Sequence, residues 1–214
     1  MIGQVDKEVK SKRVALGKED WIAAALHALL SEGINAVQIT RLATDLKMTR
    51  GSFYWHFADR GDLLGALIEK WRHLNSDVMA AALRDVTELD EGILALFSVW
   101  VAAEPFNARL DQAMRDWARR SDAVKEAVEA EDQSRIETIR DFFVAQGYEA
   151  TDAFIRARVI YFTQVSYYSL GVNEPMEQRM SYLKVYYRCF TGKDLNAEKA
   201  EAYCNAYLEK ELVA

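Results

Sequence analysis

Apolar residues recur along this chain at intervals of three and four, and strand-like alternation is nearly absent. Trp21, Ile22, Ala25, Leu26, Leu29 and Leu30 form one stripe, which predicts a helix from about Lys18 to Ser31, stopped at Gly33. The spacing returns in Leu42, Ala43 and Leu46 after Thr40, and Phe53 and Phe57 stand four apart after Thr49. Each threonine suits an N-cap, so two short helices are expected. Leu63, Leu64, Leu67, Ile68, Trp71 and Leu74 predict a fourth helix, opened by Asp59 or Asp62 and running to about Arg84. A polar connection follows from Asp85 to Glu91. Beyond it, amphipathic stretches predict helices at Gly92–Ala103, Ala108–Arg119, Ala123–Gln146, Asp152–Leu170, Pro175–Thr191 and Asn196–Leu212, with breaks at Pro105, Gly147, Gly171 and Asn173-Glu174-Pro175. The last of them carries Ala200, Cys204, Tyr207 and Leu208 on one side. The expected fold class is all-α.

The stretch from Ile39 to Leu64 has a helix-turn-helix pattern. Leu42, Ala43, Leu46 and Met48 would bury the inner faces of its two helices, leaving Arg50, Gly51, Ser52, Tyr54 and Trp55 outside or at the rim of the second. That outward set suits a major groove: a guanidinium for guanine, a small residue for close approach, and hydroxyls for phosphate.

The run Thr40, Leu42-Ala43, Thr49-Arg50-Gly51-Ser52-Phe53-Tyr54, Phe57, Arg60 and Leu63-Leu64 resembles the TetR family of transcriptional regulators, over about the first quarter of the chain. The resemblance implies a three-helix DNA-binding domain, residues 1–62, joined to a helical effector-binding and dimerisation domain, residues 63–214. It implies DNA contacts from Thr40, Thr49, Arg50, Gly51, Ser52, Tyr54, Trp55, His56 and Arg60, with Tyr54 and His56 at phosphates and Trp55 either on sugar or packed on a neighbouring helix. Two positions depart from the family pattern. Lys47 stands where the family usually has a turn glycine, and Arg60 where it usually has lysine. A non-glycine residue in a left-handed turn costs roughly 1 kcal/mol, and Arg60 would keep the phosphate-binding charge.

On the Pro175–Thr191 stretch, Met176, Met180, Leu183, Tyr187 and Phe190 step by 4, 3, 4 and 3, and Phe154, Ala157, Tyr161, Val165 and Tyr168 share a stripe on the stretch before it. A 3.5-residue repeat on two consecutive helices fits either a four-helix bundle shared by two subunits or an intramolecular core. The family resemblance favours the homodimer, so these residues are the expected interface. Phe97, Trp100, Met114, Trp117, Phe142 and Tyr161 are candidates to line a pocket for a small effector, the alternative again being ordinary core. Glu131, Asp132 and Gln133 interrupt the apolar pattern of their helix as an effector anchor or a solvated face.

Composition adds three constraints. Residues 1 to 70 hold 10 Lys/Arg against 9 Asp/Glu, so the overall charge of -6 belongs to the rest of the chain. An N-terminal charge of +1 implies few phosphate contacts per subunit and affinity that depends on two subunits binding together. Lys7, Lys10, Lys12 and Arg13 form either a basic arm along the DNA or a solubilising tail. Cys189 and Cys204 have no metal-ligand spacing and are expected to be free thiols in a reducing cytoplasm. No signal peptide or membrane-spanning run is evident. His27, His56 and His73 are not set beside a nucleophile, and no GxSxG, HExxH, P-loop or GxGxxG motif occurs. Acidic pairs such as Asp111 with Asp116 read as exposed helix faces. The expected function is therefore non-enzymatic and needs no cofactor, and the family resemblance implies a ligand-responsive repressor acting on a near-palindromic double-stranded DNA operator. The alternative is a cytosolic helical carrier or scaffold with a vestigial helix-turn-helix.

Overall fold

The computed structural model describes residues 17–101 and 106–211, and every regular element among them is helical. The basic cluster at residues 7–13, the expected helix end at Ala103, Pro105 and Leu212 lie outside the described residues. The chain divides into two compact units between Gly65 and Ala66.

In the first unit, α1 (Lys18–Glu32) buries Trp21, Ile22, Ala25, Ala28 and Leu29 and ends at Gly33, whose φ of 81° and N–H bond to Leu29 O close its last turn. A single 3₁₀ turn, Ile34–Ala36, leads into α2 (Ile39–Asp45). The N-cap of α2 is Gln38, not Thr40. Thr40 lies inside the helix, exposed, with its carbonyl accepting the Thr44 hydroxyl at 3.0 Å. Capping passes to Gln38 because Val37 and Gln38 leave the 3₁₀ turn outside helical geometry, so the chain is already helical at Ile39. The next helix, α3 (Arg50–Phe53), is one turn long, and α4 (Arg60–Trp71) follows.

The helix predicted to reach Arg84 is interrupted. After α4 comes a π segment, Arg72–Ser76, and then α5 (Asp77–Leu83). The second unit continues with α6 (Leu89–Val101), α7 (Ala108–Ala118), α8 (Asp122–Ala145), α9 (Ala150–Ser169), α10 (Met176–Thr191) and α11 (Ala197–Glu211). Its apolar core joins Ile93 and Leu96 to Phe143, Ala157, Ile160, Leu183 and Tyr187. Gly92 is required where α6 meets α8, since a Cβ there would lie 2.1 Å from Phe142 Cζ.

A buried charge cluster lies beside this core. Asp111 on α7 receives Trp71 Nε1 at 3.0 Å, Arg135 Nη1 at 2.9 Å and Arg115 Nε at 3.0 Å. Arg115 forks onto Asp132 at 2.7 and 2.8 Å, and Tyr161 donates to the same carboxylate at 2.6 Å. The π segment is tied in by Arg135 Nε to Ser76 Oγ at 2.9 Å and Arg72 Nε to Glu131 at 2.8 Å, while Asn75 exchanges hydrogen bonds with the backbone of Asn107. Asp111 is therefore a buried ion-pair residue, not part of an exposed acidic face. Glu131 and Asp132 likewise serve the protein's own arginines.

Burial opposes the charge on Asp111, but the fields of Arg135 and Arg115 and the hydrogen bonds from Arg135 and Trp71 outweigh it and hold its pKa below the ordinary value. A depressed carboxyl contributes stability that is present above its unfolded pKa of about 3.9 and lost as pH falls through the lower folded value. Acid unfolding of this unit is thus expected below about pH 4, measurable by circular dichroism. Asp111→Ala leaves Arg135 buried without its carboxylate and is expected to cost about 3–5 kcal/mol in urea unfolding. A loss under about 1 kcal/mol would contradict the buried pairing.

Candidate nucleic-acid interface

A four-residue helix has no stability of its own, so α3 owes its position to what fastens it. Thr49 is its N-cap, with Oγ1 accepting the Ser52 N–H at 3.2 Å. Phe53 points inward, its ring 5.2 Å from Phe57 in a stacked pair and 5.3 Å from Trp21 edge-on. Both phenylalanines and Trp21 are buried. Phe57 lies beyond the helix, but its N–H still reaches Phe53 O at 3.1 Å.

With Phe53 inward, the opposite side of the turn faces outward. Thr49, Arg50 and Gly51 are exposed, and Ser52 and His56 are half-buried. Tyr54 rests its ring edge on Phe53 at 5.3 Å while remaining 51% exposed. Trp55 is 87% exposed, an unusual position for an indole. Arg50 makes no hydrogen bond or ion pair among the described residues, so its donors point into open space.

Arg60 behaves differently from the rest of the predicted set. Its Nε donates to Val37 O at 2.7 Å and its Nη2 to Ile34 O at 3.2 Å, in a part-buried setting. It clamps the 3₁₀ connection to the start of α4 instead of presenting its charge outward. Asp59, just before it, caps α4 by accepting the Asp62 N–H at 2.9 Å. The turn before α3 is a Schellman closure: Met48 N bonds Ala43 O at 2.8 Å and Lys47 N bonds Thr44 O at 3.0 Å, with Lys47 at φ 55°.

Most of the residues expected at a dimer interface pack, wholly or partly, in the chain's own core. Tyr161, Met180, Leu183 and Tyr187 are buried within the chain's own core, and Phe154, Val165 and Tyr168 pack partly against it. Met176 is half-buried at the start of α10. The heptad stripe is an intramolecular seam. A second apolar stripe, which the repeat did not single out, remains exposed: Ile155, Val159 and Phe162 on α9, with Tyr182, Val185 and Tyr186 on α10. Cys189 is exposed and Cys204 half-buried, both as free thiols.

Of the six effector candidates, Phe97 and Trp100 line an open cleft among α6, α9, α10 and α11. Met114, Trp117, Phe142 and Tyr161 do not line it and are packed interior residues. The lining that the sequence did not disclose includes Gln164, Tyr167, Arg179 and Tyr203. Burial, reinforced by a hydrogen bond to Glu174, pushes the Tyr167 phenol up to about 12.

Residues 22–67 match the family model described as bacterial regulatory proteins, tetR family. Over this segment the chain is similar to the TetR family. The HTH-type transcriptional repressor BepR of Brucella suis biovar 1 (strain 1330) is 31% identical over 67 residues, covering 31% of this chain and 32% of BepR. The chain thus matches about a third of that relative's length. In fold it is similar to the fatty acid degradation regulator FadR from Bacillus halodurans, with TM-score 0.59 and 14% identity over 86% of this chain and 97% of that one. It is also similar to a putative TetR-family transcriptional regulator from Mesorhizobium loti MAFF303099, with TM-score 0.50 and 15% identity over 90% and 95%.

Within this segment, the two departures noted in the sequence have distinct consequences. Lys47 adopts the left-handed turn that glycine usually provides. Arg60 is structural, so Arg60→Ala is expected to destabilise the N-terminal unit by about 1.5–3 kcal/mol, the range for hydrogen bonds from a charged donor. Thermal unfolding of the purified variant tests this. An unchanged melting temperature would return Arg60 to the DNA-contact set.

Proposed function

We propose that this chain is a TetR-family DNA-binding transcriptional regulator, a repressor that binds a near-palindromic operator as a homodimer and is released by a small effector. The observation that carries this reading is α3, whose Phe53 is sealed against Trp21 and Phe57 while Arg50, Gly51, Tyr54 and Trp55 face outward. A guanidinium at the first helical position can fork onto guanine N7 and O6, and Gly51 lets the backbone approach closely. Thr49, Ser52, Tyr54 and His56 supply hydroxyl and ring N–H groups for phosphate oxygens. The name of BepR supports the repressor sense.

A twofold operator needs two copies of α3 about 34–36 Å apart. The outer stripe of α9 and α10, centred on Val159, Phe162 and Val185, is the proposed contact between copies, replacing the inward stripe that the repeat suggested. An effector that moves the protein from mostly bound to mostly free must prefer the released form by roughly 5 kcal/mol.

Operator fragments selected from genomic DNA at moderate salt test the reading by fluorescence anisotropy. Arg50→Ala is expected to weaken binding by about 1–3 kcal/mol and relax base preference at one position per half-site. Unchanged affinity of the variant for the selected operator, with base preference also unchanged, would contradict the role of α3. Val185→Glu is expected to shift the protein to monomer in sedimentation and to lower operator affinity by about tenfold or more. A dimer that persists with full affinity would exclude this face.

A further inference from the structure

The cleft among α6, α9, α10 and α11 holds hydrogen-bond donors that its own walls leave unanswered. Its sides are aromatic, from Trp100, Tyr167, Tyr186, Phe190 and Tyr203. The Gln164 side-chain nitrogen lining it is buried, and beyond its approach to the Tyr168 hydroxyl its second N–H has no acceptor. Arg179 lines it too, with its guanidinium 5.4 Å from the Tyr167 ring centroid and no hydrogen bond or ion pair to any described residue. A buried N–H without an acceptor is costly, and a guanidinium held over a ring keeps its donor edge available. The cleft's one acidic group is already engaged: Glu174 accepts the Tyr167 hydroxyl and, at 3.4 Å, the Gln178 amide. The unanswered chemistry of the cleft is therefore that of donors, one of them cationic, beside aromatic faces.

We propose that this cleft binds an arylalkyl carboxylate, its acid group received by Arg179 and the Gln164 amide and its ring stacked among Trp100, Tyr167 and Tyr186. A carboxylate answers both unmet donors, and a planar guanidinium accommodates its two oxygens. The ring replaces water against aromatic walls, where offset and edge contacts favour an aromatic body over a simple alkyl one. The inference rests on the reading of the chain as effector-responsive and gives that effector a chemical class.

Calorimetric titration of the full-length protein, without DNA, compares phenylbutyrate, phenylbutanol and phenylbutylamine, which share one body and differ in the head group. Phenylbutyrate is expected to bind at least about tenfold more tightly than the alcohol, and the amine more weakly than either. Arg179→Gln is expected to remove about tenfold of the phenylbutyrate affinity and to change that of the alcohol by less than about twofold. Gln164→Leu should weaken phenylbutyrate as well, giving a second variant should the first fold poorly. Equal affinities for the three heads, preference for the amine, or no binding of any would overturn the proposal. A parallel anisotropy titration of the operator complex separates this from the regulator reading. Phenylbutyrate binding that leaves DNA affinity unchanged keeps the ligand class and removes its effector role, whereas release of DNA without preference among heads does the reverse.

Discussion

The seat of Phe53 decides what the N-terminal unit can present. A helix of four residues cannot hold itself, so its orientation is that of the side chain it buries. With Phe53 stacked on Phe57 and met edge-on by Trp21, the turn has one inward direction. Arg50, Gly51, Tyr54 and Trp55 must then look outward together. The Thr49 cap fixes where the turn begins, and the Schellman closure through Lys47 fixes how the chain arrives from α2. The outward surface is thus a by-product of packing: exposed residues are aimed by the buried ones beside them.

The second unit solves a different problem. Its apolar core alone would let helices slide, since aliphatic contacts are non-directional. The cluster of Asp111, Arg115, Asp132, Arg135 and Tyr161 adds directional bonds that connect α7, α8 and α9 to the π segment after α4. Such buried charges are costly when one partner is missing and specify one arrangement when all are present. The widened turn at Arg72–Ser76 is where the cluster meets the helix that begins at Arg60.

Helical periodicity made most of the fold legible. The Trp21 stripe, the Thr49 cap and the Phe53–Phe57 interval are short-range signals, and the helix ends fall within a few residues of the expected ones except where the π segment intervenes. What stayed hidden depends on distant partners. Arg60 reads as an available charge until Ile34 O and Val37 O, more than twenty residues earlier in the chain, are brought beside it. Thr40 reads as a cap until the 3₁₀ turn before it is seen to release Val37 and Gln38 from helical geometry, so that α2 starts at Ile39. The heptad stripe of α9 and α10 was real, but a repeat states only that a face is buried, not whether the same chain or another buries it. Asp111 did leave a signal that was available: it lies on the Leu110, Met114 and Trp117 side of α7, four residues from Arg115, where an exposed carboxylate does not belong. Of the site, the outward residues of α3 could be read in advance because their neighbours in sequence are also their neighbours in space. The cleft could not, because its walls come from four separate helices.

The central claim is that a pair of α3 turns reads duplex DNA. Methylation interference on a selected operator measures this most directly, since it reports the guanine N7 positions that must be free for binding. The account requires two symmetric clusters of interfering guanines centred about 10 base pairs apart or a multiple of that, each within the major groove. A single cluster, or binding indifferent to guanine methylation throughout, would contradict it.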